Sequence, residues 1–234
     1  MNRRELLLTG IGTGLAVSTS SSGFARTGIS QIKIALIGES GVGKTCLALS
    51  FTTSLFPQGR PPSGFNTYTH NMLVDGDPTQ LEITDTPGDE DYDRLRPLFY
   101  SGTHVAGIGF SLSRRSSFEA VTHRWLPEIR QHLPQAPIIL MGLKADLRDT
   151  GSGPTAPQVD YEEGEALSQT IGAAAYFENS GFTQHNVMQS FQALIRAARG
   201  EALLPPTAPG RRQLRPGRAP VRPARRPNDR RGGN

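Results

Sequence analysis

The sequence predicts an α/β protein whose six-stranded, mostly parallel sheet is covered by helices on both faces. Apolar stretches typical of strands alternate with helix-like stretches through residues 31–204, and this alternation is typical of parallel sheets whose strands are joined by helices. Val74-Asp75-Gly76-Asp77 is a hairpin-turn signal between the second and third strands. We therefore expect those two strands to pair antiparallel within an otherwise parallel sheet.

The predicted elements follow one another in a regular order. The first strand is the apolar stretch Ile32 to Ile37, and helix-compatible residues from Cys46 to Phe51 belong to the first helix. Strands are predicted near residues 32–37, 70–75, 80–85, 105–111, 137–142 and 174–178. Helices are predicted near residues 44–53, 90–98, 116–132, 161–171 and 184–199.

Composition separates this body from the ends of the chain. The formal net charge of +4 over 234 residues hides a basic tail at residues 205–234, which holds nine Arg and one Asp. The body at residues 31–204 is mildly acidic, so its charge does not favour a specific nucleic-acid surface. The only cysteine, Cys46, is expected to be a small core residue, and a single cysteine fits a reducing compartment. The pair Arg114-Arg115 is expected to form a solvated turn.

The residues between the first strand and the first helix form a phosphate-binding pattern. The run Gly38-Glu39-Ser40-Gly41-Val42-Gly43-Lys44-Thr45, the phosphate loop, matches G-x-x-x-x-G-K-[ST]. Its glycines have no Cβ, so backbone N–H groups can approach a polyphosphate closely, and the following helix adds unpaired N–H groups. Lys44 can reach the β- and γ-phosphates, and the Thr45 hydroxyl can ligate Mg²⁺. A glycine-rich turn that binds nothing is the alternative, which the flanking strand and helix disfavour.

A second phosphate-side element lies at the end of the third predicted strand, in Ile83-Thr84-Asp85-Thr86-Pro87-Gly88. Asp85 can hold Mg²⁺ through the water shell of the metal, and the N–H of Gly88 can meet the γ-phosphate. The tetrapeptide D-T-x-G alone is also an ordinary strand-to-turn sequence. Placed after a phosphate loop, it indicates a site for a nucleoside triphosphate.

Several segments resemble the Rho family of small GTPases, within the Ras-like superfamily. Asp91-Tyr92-Asp93-Arg94-Leu95-Arg96-Pro97-Leu98, together with Tyr100, is similar to the second switch region of that family. The other similar segments are Phe56-Pro57, Trp125-Leu126-Pro127-Glu128, Pro137-Ile138-Ile139-Leu140 and Asp146-Leu147-Arg148. The resemblance covers residues 31–200, and it implies a Ras-like P-loop NTPase that binds GTP and GDP with Mg²⁺.

Guanine selection is expected at Lys144-Ala145-Asp146, which follows the fifth predicted strand. The carboxylate of Asp146 can accept hydrogen bonds from N1–H and from the exocyclic amino group of guanine, and against adenine it would be left unpaired. The stem of Lys144 can lie over the face of the base. The resemblance further implies that the Phe56 ring lies edge-on to the guanine, and that a backbone N–H of Ser180-Gly181 donates to guanine O6.

The expected site combines loop backbone, base contacts and metal ligands. The expected nucleotide contacts are Glu39, Ser40, Gly41, Val42, Gly43, Lys44, Thr45, Cys46, Phe56, Ser63, Gly88, Lys144, Asp146, Leu147, Ser180 and Gly181. The expected Mg²⁺ ligands are Thr45, Ser63 and, through water, Asp85. The expected catalytic positions are Lys44 and Asp89, and Asp89 occupies the place that orients the attacking water.

Several residues depart from the family pattern, and two of them point to slow hydrolysis. Asp89 stands where the family has a water-positioning Gln, and an ionised carboxylate only accepts hydrogen bonds and adds negative charge beside the triphosphate. Ser40 stands where the family has a Gly against the γ-phosphate. Ser63 replaces the Mg²⁺-binding Thr, and Leu143 replaces a polar residue whose hydrogen bond ties the base-binding loop to the phosphate loop.

Three functions are compatible with these residues. The preferred function is a GTP/GDP-dependent signalling switch with weakened hydrolysis, a monomer that binds effector proteins through a first switch (residues 58–68) and a second switch (residues 88–98) and that exchange factors can act on. The second is a non-cycling GTP-binding module, a pseudo-GTPase that signals by its level or location. The third is a P-loop kinase or ATPase, against which Asp146 and the second switch argue.

The two ends carry separate expectations. Residues 1–30 begin with Arg3-Arg4 and an apolar, glycine-rich stretch, which resembles a twin-arginine export signal, and a disordered leader or a misplaced start is the alternative. The Pro/Arg-rich tail at residues 205–234 is expected to be disordered, and either solvated or bound to an anionic membrane, RNA or an acidic protein. We expect a cytoplasmic protein able to reach a membrane surface, with export as the less favoured alternative. No prenyl anchor is expected, because no cysteine lies near the C-terminus.

Overall fold

The computed structural model describes residues 30–59, 61, 64–149 and 158–203. The leader at residues 1–29, the segment 150–157 and the tail from residue 204 lie outside the described residues, as does the expected metal ligand Ser63. The expectations for these parts of the chain stay predictions.

The strands form one six-stranded sheet. In chain order they are β1 (Ser30–Ile37), β2 (Asn66–Val74), β3 (Asp77–Asp85), β4 (Val105–Ser111), β5 (Ile138–Leu143) and β6 (Ala175–Asn179). Their order across the sheet is β2-β3-β1-β4-β5-β6. β2 pairs antiparallel with β3, and every other neighbouring pair is parallel. The predicted fold class and the predicted hairpin are confirmed.

The hairpin turn has the backbone that its sequence predicts. Asp75 and Gly76 have φ angles of 54° and 90°, and positive φ at both central residues is what a tight turn between twisted antiparallel strands requires. β2 begins at Asn66, earlier than the predicted residue 70. Its residues alternate between partly buried and exposed, and all of them pair with β3, so the whole stretch is held in the sheet.

The helices lie close to their predicted positions. They are α1 (Lys44–Thr53), α2 (Arg115–Ala120), α3 (Leu126–His132), α4 (Asp146–Asp149), α5 (Tyr161–Thr170) and α6 (Val187–Arg199). A π-helical turn at Val121–Trp125 joins α2 to α3, so the predicted helix at residues 116–132 is one continuous helical stretch. α6 begins later than the predicted residue 184, because Gln184 and Asn186 have positive φ. None of the described helices has the length and apolarity needed to cross a membrane.

The helix predicted at residues 90–98 is wrong. Two short 3₁₀ helices, Glu90–Tyr92 and Arg96–Phe99, lie in this segment instead. Pro97 has no backbone N–H to donate to an α-helical partner. The side chain of Arg96 donates to the carbonyls of Pro87 and Asp89. These contacts hold the segment in tight turns against the preceding loop.

Helices cover both faces of the sheet, as predicted. On one face, α1 and α6 pack through buried side chains that include Leu47, Phe51 and Phe191. On the other face, the helical stretch 115–132 packs through Trp125 and Ile129. Both faces of the parallel strands are therefore buried, which explains their nearly continuous apolar sequences.

The carboxyl ends of the parallel strands meet at one edge of the sheet. β1 leads into the phosphate loop, β3 into residues 86–89, β5 into Lys144 and β6 into Ser180. Ligands of open α/β sheets bind at this edge. The fold therefore brings together predicted site residues that lie far apart in the sequence.

Candidate functional site

Two adjoining pockets form one cleft at this edge. The phosphate pocket, about 340 Å³, is bordered by the phosphate loop, Pro61, Gly64 and residues 86–89. The base pocket, about 280 Å³, is bordered by residues from four parts of the chain, which include Leu47, Phe56, Asp146, Leu147, Asn179, Gly181 and Phe182. Gly43, Cys46 and Lys144 border both pockets. Cys46 is partly exposed in this cleft, so the expectation that it is a core residue is wrong.

Lys44 lies inside the phosphate loop at the start of α1. Its side chain is buried, and its Nζ donates to the carbonyls of Gly38 at 2.6 Å and Glu39 at 2.9 Å. Burial lowers the pKa of Lys44 to about 8, because the charged ammonium loses its hydration. A Cβ at Gly38 would lie 2.1 Å from the carbonyl oxygen of Gly109 on β4, so only glycine fits there. The loop thus holds an ammonium group with its own carbonyls.

Two further cations hold the loop from neighbouring segments. Arg114 Nη2 donates to the Ser40 carbonyl at 2.7 Å, and Lys144 Nζ donates to the Gly41 carbonyl at 2.6 Å. Arg114 is exposed, as predicted, but the predicted turn at Arg114-Arg115 is wrong, since α2 begins at Arg115 and Arg114 contacts the phosphate loop. The contact joins residues 74 positions apart, and no local sequence pattern signals it.

The residues expected to hold Mg²⁺ include a carboxylate with a free oxygen. Thr45 Oγ1 donates to Asp85 Oδ2 at 2.5 Å. Asp85 is 1% exposed, and its Oδ1 has no hydrogen-bond partner among the described residues. Burial raises the pKa of this carboxyl, and the Thr45 hydrogen bond and the Lys44 charge oppose that rise. A buried, unsatisfied carboxylate oxygen beside a hydroxyl fits a hard cation and its water shell.

Residues 86–89 lie directly against the phosphate loop. A Cβ at Gly88 would be 2.2 Å from the backbone N of Ser40, so a side chain does not fit between the two segments. Asp89 follows, exposed and at the border of the phosphate pocket. Ser40 borders the same pocket. The two departures that point to slow hydrolysis, Asp89 and Ser40, therefore share one pocket.

The second switch is anchored by a buried guanidinium. Arg96 is fully buried, and its Nη1 pairs with Glu128 Oε2 at 2.5 Å. Its Nη2 pairs with Asp93 Oδ1 at 2.7 Å, and its guanidinium lies 4.7 Å from the centre of the Trp125 ring. The hydroxyl of Tyr100 also donates to Glu128. This segment is therefore held against the helical stretch 115–132.

A second arginine connects this network to the phosphate loop. Arg124 pairs with Asp93 Oδ1 at 2.8 Å and with Glu39 Oε1 at 2.9 Å, and it lies 4.4 Å from the centre of the Trp125 ring. These contacts lower the pKa of Asp93, although partial burial opposes the shift. The Glu39 carboxylate is thus directed to Arg124, and a phosphate contact of Glu39 would come from its backbone.

The carboxylate of the base pocket belongs to Asp146, the first residue of α4, which begins shortly after β5. Asp146 Oδ1 accepts from Ser180 Oγ at 2.6 Å, which joins the start of α4 to the loop after β6. Phe56 lies at the rim, and its ring meets that of Phe182 edge-on with the centroids 5.5 Å apart. Phe182 was not expected from the sequence, because a single exposed aromatic residue in a loop carries no pattern. The pocket therefore combines apolar walls with one carboxylate.

The segment Lys144 to Asp146 is tied to the phosphate loop although the preceding residue, Leu143, is apolar. Leu143 is buried, with its Cβ 3.8 Å from the place of a Cβ at Gly43. The hydrogen bond from Lys144 to Gly41 supplies a polar tie between the two loops. Asn179, the register partner of Leu143, borders the base pocket, and its buried Oδ1 has no hydrogen-bond partner among the described residues. Sequence reasoning missed Asn179 as well.

The family comparison agrees with this geometry. A family model described as the Ras family matches residues 33–200. The match includes the phosphate loop, the second switch and the segments that border the base pocket, and it covers well over half of the chain.

Proposed function

Because the chain belongs to the Ras family of small GTPases, we propose that it is a Rho-like GTP/GDP switch in which hydrolysis is slow. The observation that carries the proposal is the joining of two pockets in one cleft, one built on the phosphate loop and the other on Asp146. The Rho-like character rests on residues 91–98, whose buried Arg96 and surrounding contacts make them a structured switch segment.

The base pocket selects guanine through the Asp146 carboxylate. Its oxygens accept from N1–H and the exocyclic amino group of guanine, and Ser180 Oγ already orients one of them. Adenine presents no matching pair of donors, so it would leave a charged acceptor unpaired. Phe56, Leu147 and the stem of Lys144 enclose the ring with apolar surface. This chemistry disfavours an adenine-specific kinase or ATPase.

Thr45 and Asp85 are the described residues that would hold Mg²⁺, with Ser63 as the expected third ligand outside them. Bound there, the metal would neutralise charge on the β- and γ-phosphates. The Thr45 hydroxyl, which donates to Asp85 Oδ2, is proposed as the direct ligand. The free Oδ1 of Asp85 is placed to accept from a water on the metal.

Hydrolysis is an in-line attack of water on the γ-phosphorus, in which the bond to the β,γ-bridging oxygen breaks and GDP leaves. Asp89 borders the pocket where the water must sit. Its carboxylate can accept from the water, but it cannot donate to the γ-phosphate oxygens, and its charge repels them. The Ser40 side chain adds bulk in the same pocket. Both residues therefore slow the hydrolysis of GTP.

Effector proteins are proposed to bind across the two switches. Leu95 and Leu98 of the second switch are 47% and 72% exposed, and large exposed apolar side chains that adjoin one another are typical of binding surfaces. Phe65 of the first switch stacks on Phe99 with ring centroids 3.9 Å apart. A change in the first switch on nucleotide exchange would therefore reach Phe99, the residue that follows Leu98 in the chain.

A single-turnover assay on the full chain with labelled GTP tests the proposal. We expect slow but measurable hydrolysis, and a rate increase of about 10-fold to 10²-fold in Asp89→Gln, which restores an amide donor. Glu90→Gln is the matched control, because it removes the same charge from the adjacent exposed residue. Equal rates for Asp89→Gln and wild type would show that the account of Asp89 is wrong.

The non-cycling module is the second candidate, and the position of Asp89 in the phosphate pocket is the observation that favours it. Hydrolysis that is undetectable in wild type and present in Asp89→Gln would favour the non-cycling module over the cycling switch. The nucleotide that co-purifies with the full chain decides the base. A bound adenine nucleotide would overturn both candidates.

A further inference from the structure

Four consecutive carbonyls of the phosphate loop accept hydrogen bonds from cationic side chains. Lys44 donates to the carbonyls of Gly38 and Glu39. Arg114 donates to the Ser40 carbonyl, and Lys144 donates to the Gly41 carbonyl. The contact with Arg114 differs from the others because its side chain comes from the loop between β4 and α2, which the expected site did not include.

The geometry of the peptide unit gives this contact a consequence for the ligand. The Ser40 carbonyl and the Gly41 N–H belong to one planar trans peptide, so they point in opposite directions. Arg114 holds the carbonyl, and its Nη1 lies 3.9 Å from the place of a Cβ at Gly41. Gly41 itself has φ 72°, a backbone conformation that glycine adopts without strain. Fixing the carbonyl therefore fixes the direction of the Gly41 N–H.

We propose that Arg114 is a positioning residue for phosphate binding, which orients the Gly41 N–H towards the phosphoryl chain by holding the Ser40 carbonyl. This inference rests on the proposed function and adds a residue to its phosphate pocket. The ligand group concerned is a β-phosphate or a longer phosphoryl chain, since Gly41 borders the phosphate pocket and is not among the residues that border the base pocket.

The charge of Arg114 favours the binding of a phosphoryl chain, as its hydrogen bond does. Burial, followed by the charge of Arg114, lowers the pKa of Lys144, which places the guanidinium close to a second cation at the loop. The ammonium of Lys44 contacts the preceding two carbonyls of the same loop. Lys44, Lys144 and Asp89 border the phosphate pocket, and Arg114 adds a third positive charge from the carbonyl side of the loop, which helps to offset the negative charge of Asp89.

Arg115 provides a matched control for Arg114. Its guanidinium pairs with Glu163 at 2.6 Å and with Glu119 at 3.8 Å, and both partners lie outside the cleft. The backbone of Arg114 donates to the Ser111 carbonyl and accepts from the Ser117 N–H, so a substitution of its side chain leaves these bonds in place. Either arginine can thus be replaced on the same short segment, with only one of them touching the loop.

The experiment compares the full-length wild type with Arg114→Ala, Arg114→Lys and Arg115→Ala. Affinities for GMP, GDP and GTP are measured by competition in Mg²⁺, with the thermal midpoint of each nucleotide-free protein. We expect Arg114→Ala to weaken GDP and GTP about 5-fold and to leave GMP unchanged, as one charge-assisted hydrogen bond at an exposed position would. Arg114→Lys should recover part of the loss, and Arg115→Ala should bind like wild type.

The outcomes separate this inference from the proposed function. Unchanged GDP affinity in Arg114→Ala, or an equal loss for GMP and GDP, would overturn the role of Arg114 while leaving the proposed function intact. An equal loss in Arg115→Ala would also overturn it, because the effect would then belong to the segment as a whole. Failure of the wild type to bind any guanine nucleotide would overturn the proposed function itself.

Discussion

The phosphate pocket and the base pocket obtain their polar groups in different ways. The phosphate pocket takes most of its groups from one continuous stretch, the phosphate loop, whose carbonyls are held by Lys44, Arg114 and Lys144. The base pocket is assembled from four separate parts of the chain, and in the proposed function its specificity depends on the side chain of Asp146. On that proposal, one pocket binds through local backbone, and the other through distant side chains.

This difference predicts how each pocket responds to substitution. A backbone site loses affinity gradually, because each supporting side chain fixes only one or two of several N–H groups. A side-chain site loses its selectivity in one step when its single carboxylate is changed. The substitutions below test this contrast, from the largest expected effect to the smallest.

Asp146→Asn should have the largest effect. We expect GDP affinity to fall about 10³-fold, because the amide keeps one acceptor and presents a donor to the guanine amino group. Xanthine nucleotides should gain affinity, since their C2 carbonyl accepts from that amide. Competition binding with GDP and XDP measures both changes. Asp160→Asn is the control, because Asp160 caps α5 and Asn caps helices equally well. Unchanged GDP affinity in Asp146→Asn would remove the base pocket from the proposal.

Arg96→Ala tests how much the buried guanidinium stabilises the second switch. The substitution leaves Glu128, which is 14% exposed, without its guanidinium partner. We expect the free energy of unfolding to fall by about 3–5 kcal/mol, the cost of breaking a buried ion pair on one side. Urea unfolding measures it, and the exposed Arg94→Ala should change stability by less than about 0.5 kcal/mol. A loss as small as that of the control would show that the network does not stabilise this segment.

The pH dependence of GDP binding should follow Lys44. Its pKa of about 8 means that the ammonium is charged below this pH and loses its proton above it. We expect GDP affinity to fall as pH rises past 8, by at most about tenfold per pH unit. In the nucleotide-free protein the sign is reversed. Between pH 8 and 10.5 the unfolded chain binds more protons at this residue, so its contribution to stability rises with pH.

Lys44→Arg separates this titration from that of the ligand. An arginine keeps its charge throughout the range, so the part of the pH dependence that belongs to Lys44 should disappear. A titration of GDP binding from pH 7 upward on both proteins gives the comparison. Identical pH profiles for the two proteins would mean that the Lys44 ammonium does not titrate in the cleft.

Phe182→Ala should have the smallest effect. The ring contacts Phe56 edge-on at the rim of the base pocket, and such aromatic pairs contribute about 0.5–1.5 kcal/mol. We expect GDP release to become about threefold to tenfold faster, with the guanine-to-xanthine preference unchanged. Phe182→Leu keeps apolar area without the ring and should give an intermediate rate. Stopped-flow release of a fluorescent GDP measures all three proteins, and a rate unaffected by Phe182→Ala would show that the pair does not retain the base.

The predicted and observed elements agree best where the local sequence alone determines where an element begins and ends. β4 and α1 have the predicted bounds, since apolar runs and the phosphate loop pattern mark their ends. The helix predicted at residues 90–98 does not form, because the Arg96 side chain donates to carbonyls of the preceding loop and Pro97 has no N–H to donate. Pro97 is a local signal that helix propensity already counts, whereas the Arg96 hydrogen bonds depend on how the segment folds back, so no propensity scale includes them.

The sequence by itself determined the sheet, its one antiparallel hairpin, the phosphate loop and the residues expected to face a guanine. Each of these depends on local periodicity, on glycines at required backbone angles or on a short motif, all of which are encoded within a few consecutive residues. Only the tertiary structure decided that Arg114 holds the loop, that Arg124 joins it to the second switch, and that Phe182 and Asn179 border the base pocket. These contacts join residues far apart in the chain, and packing alone brings them within bonding distance.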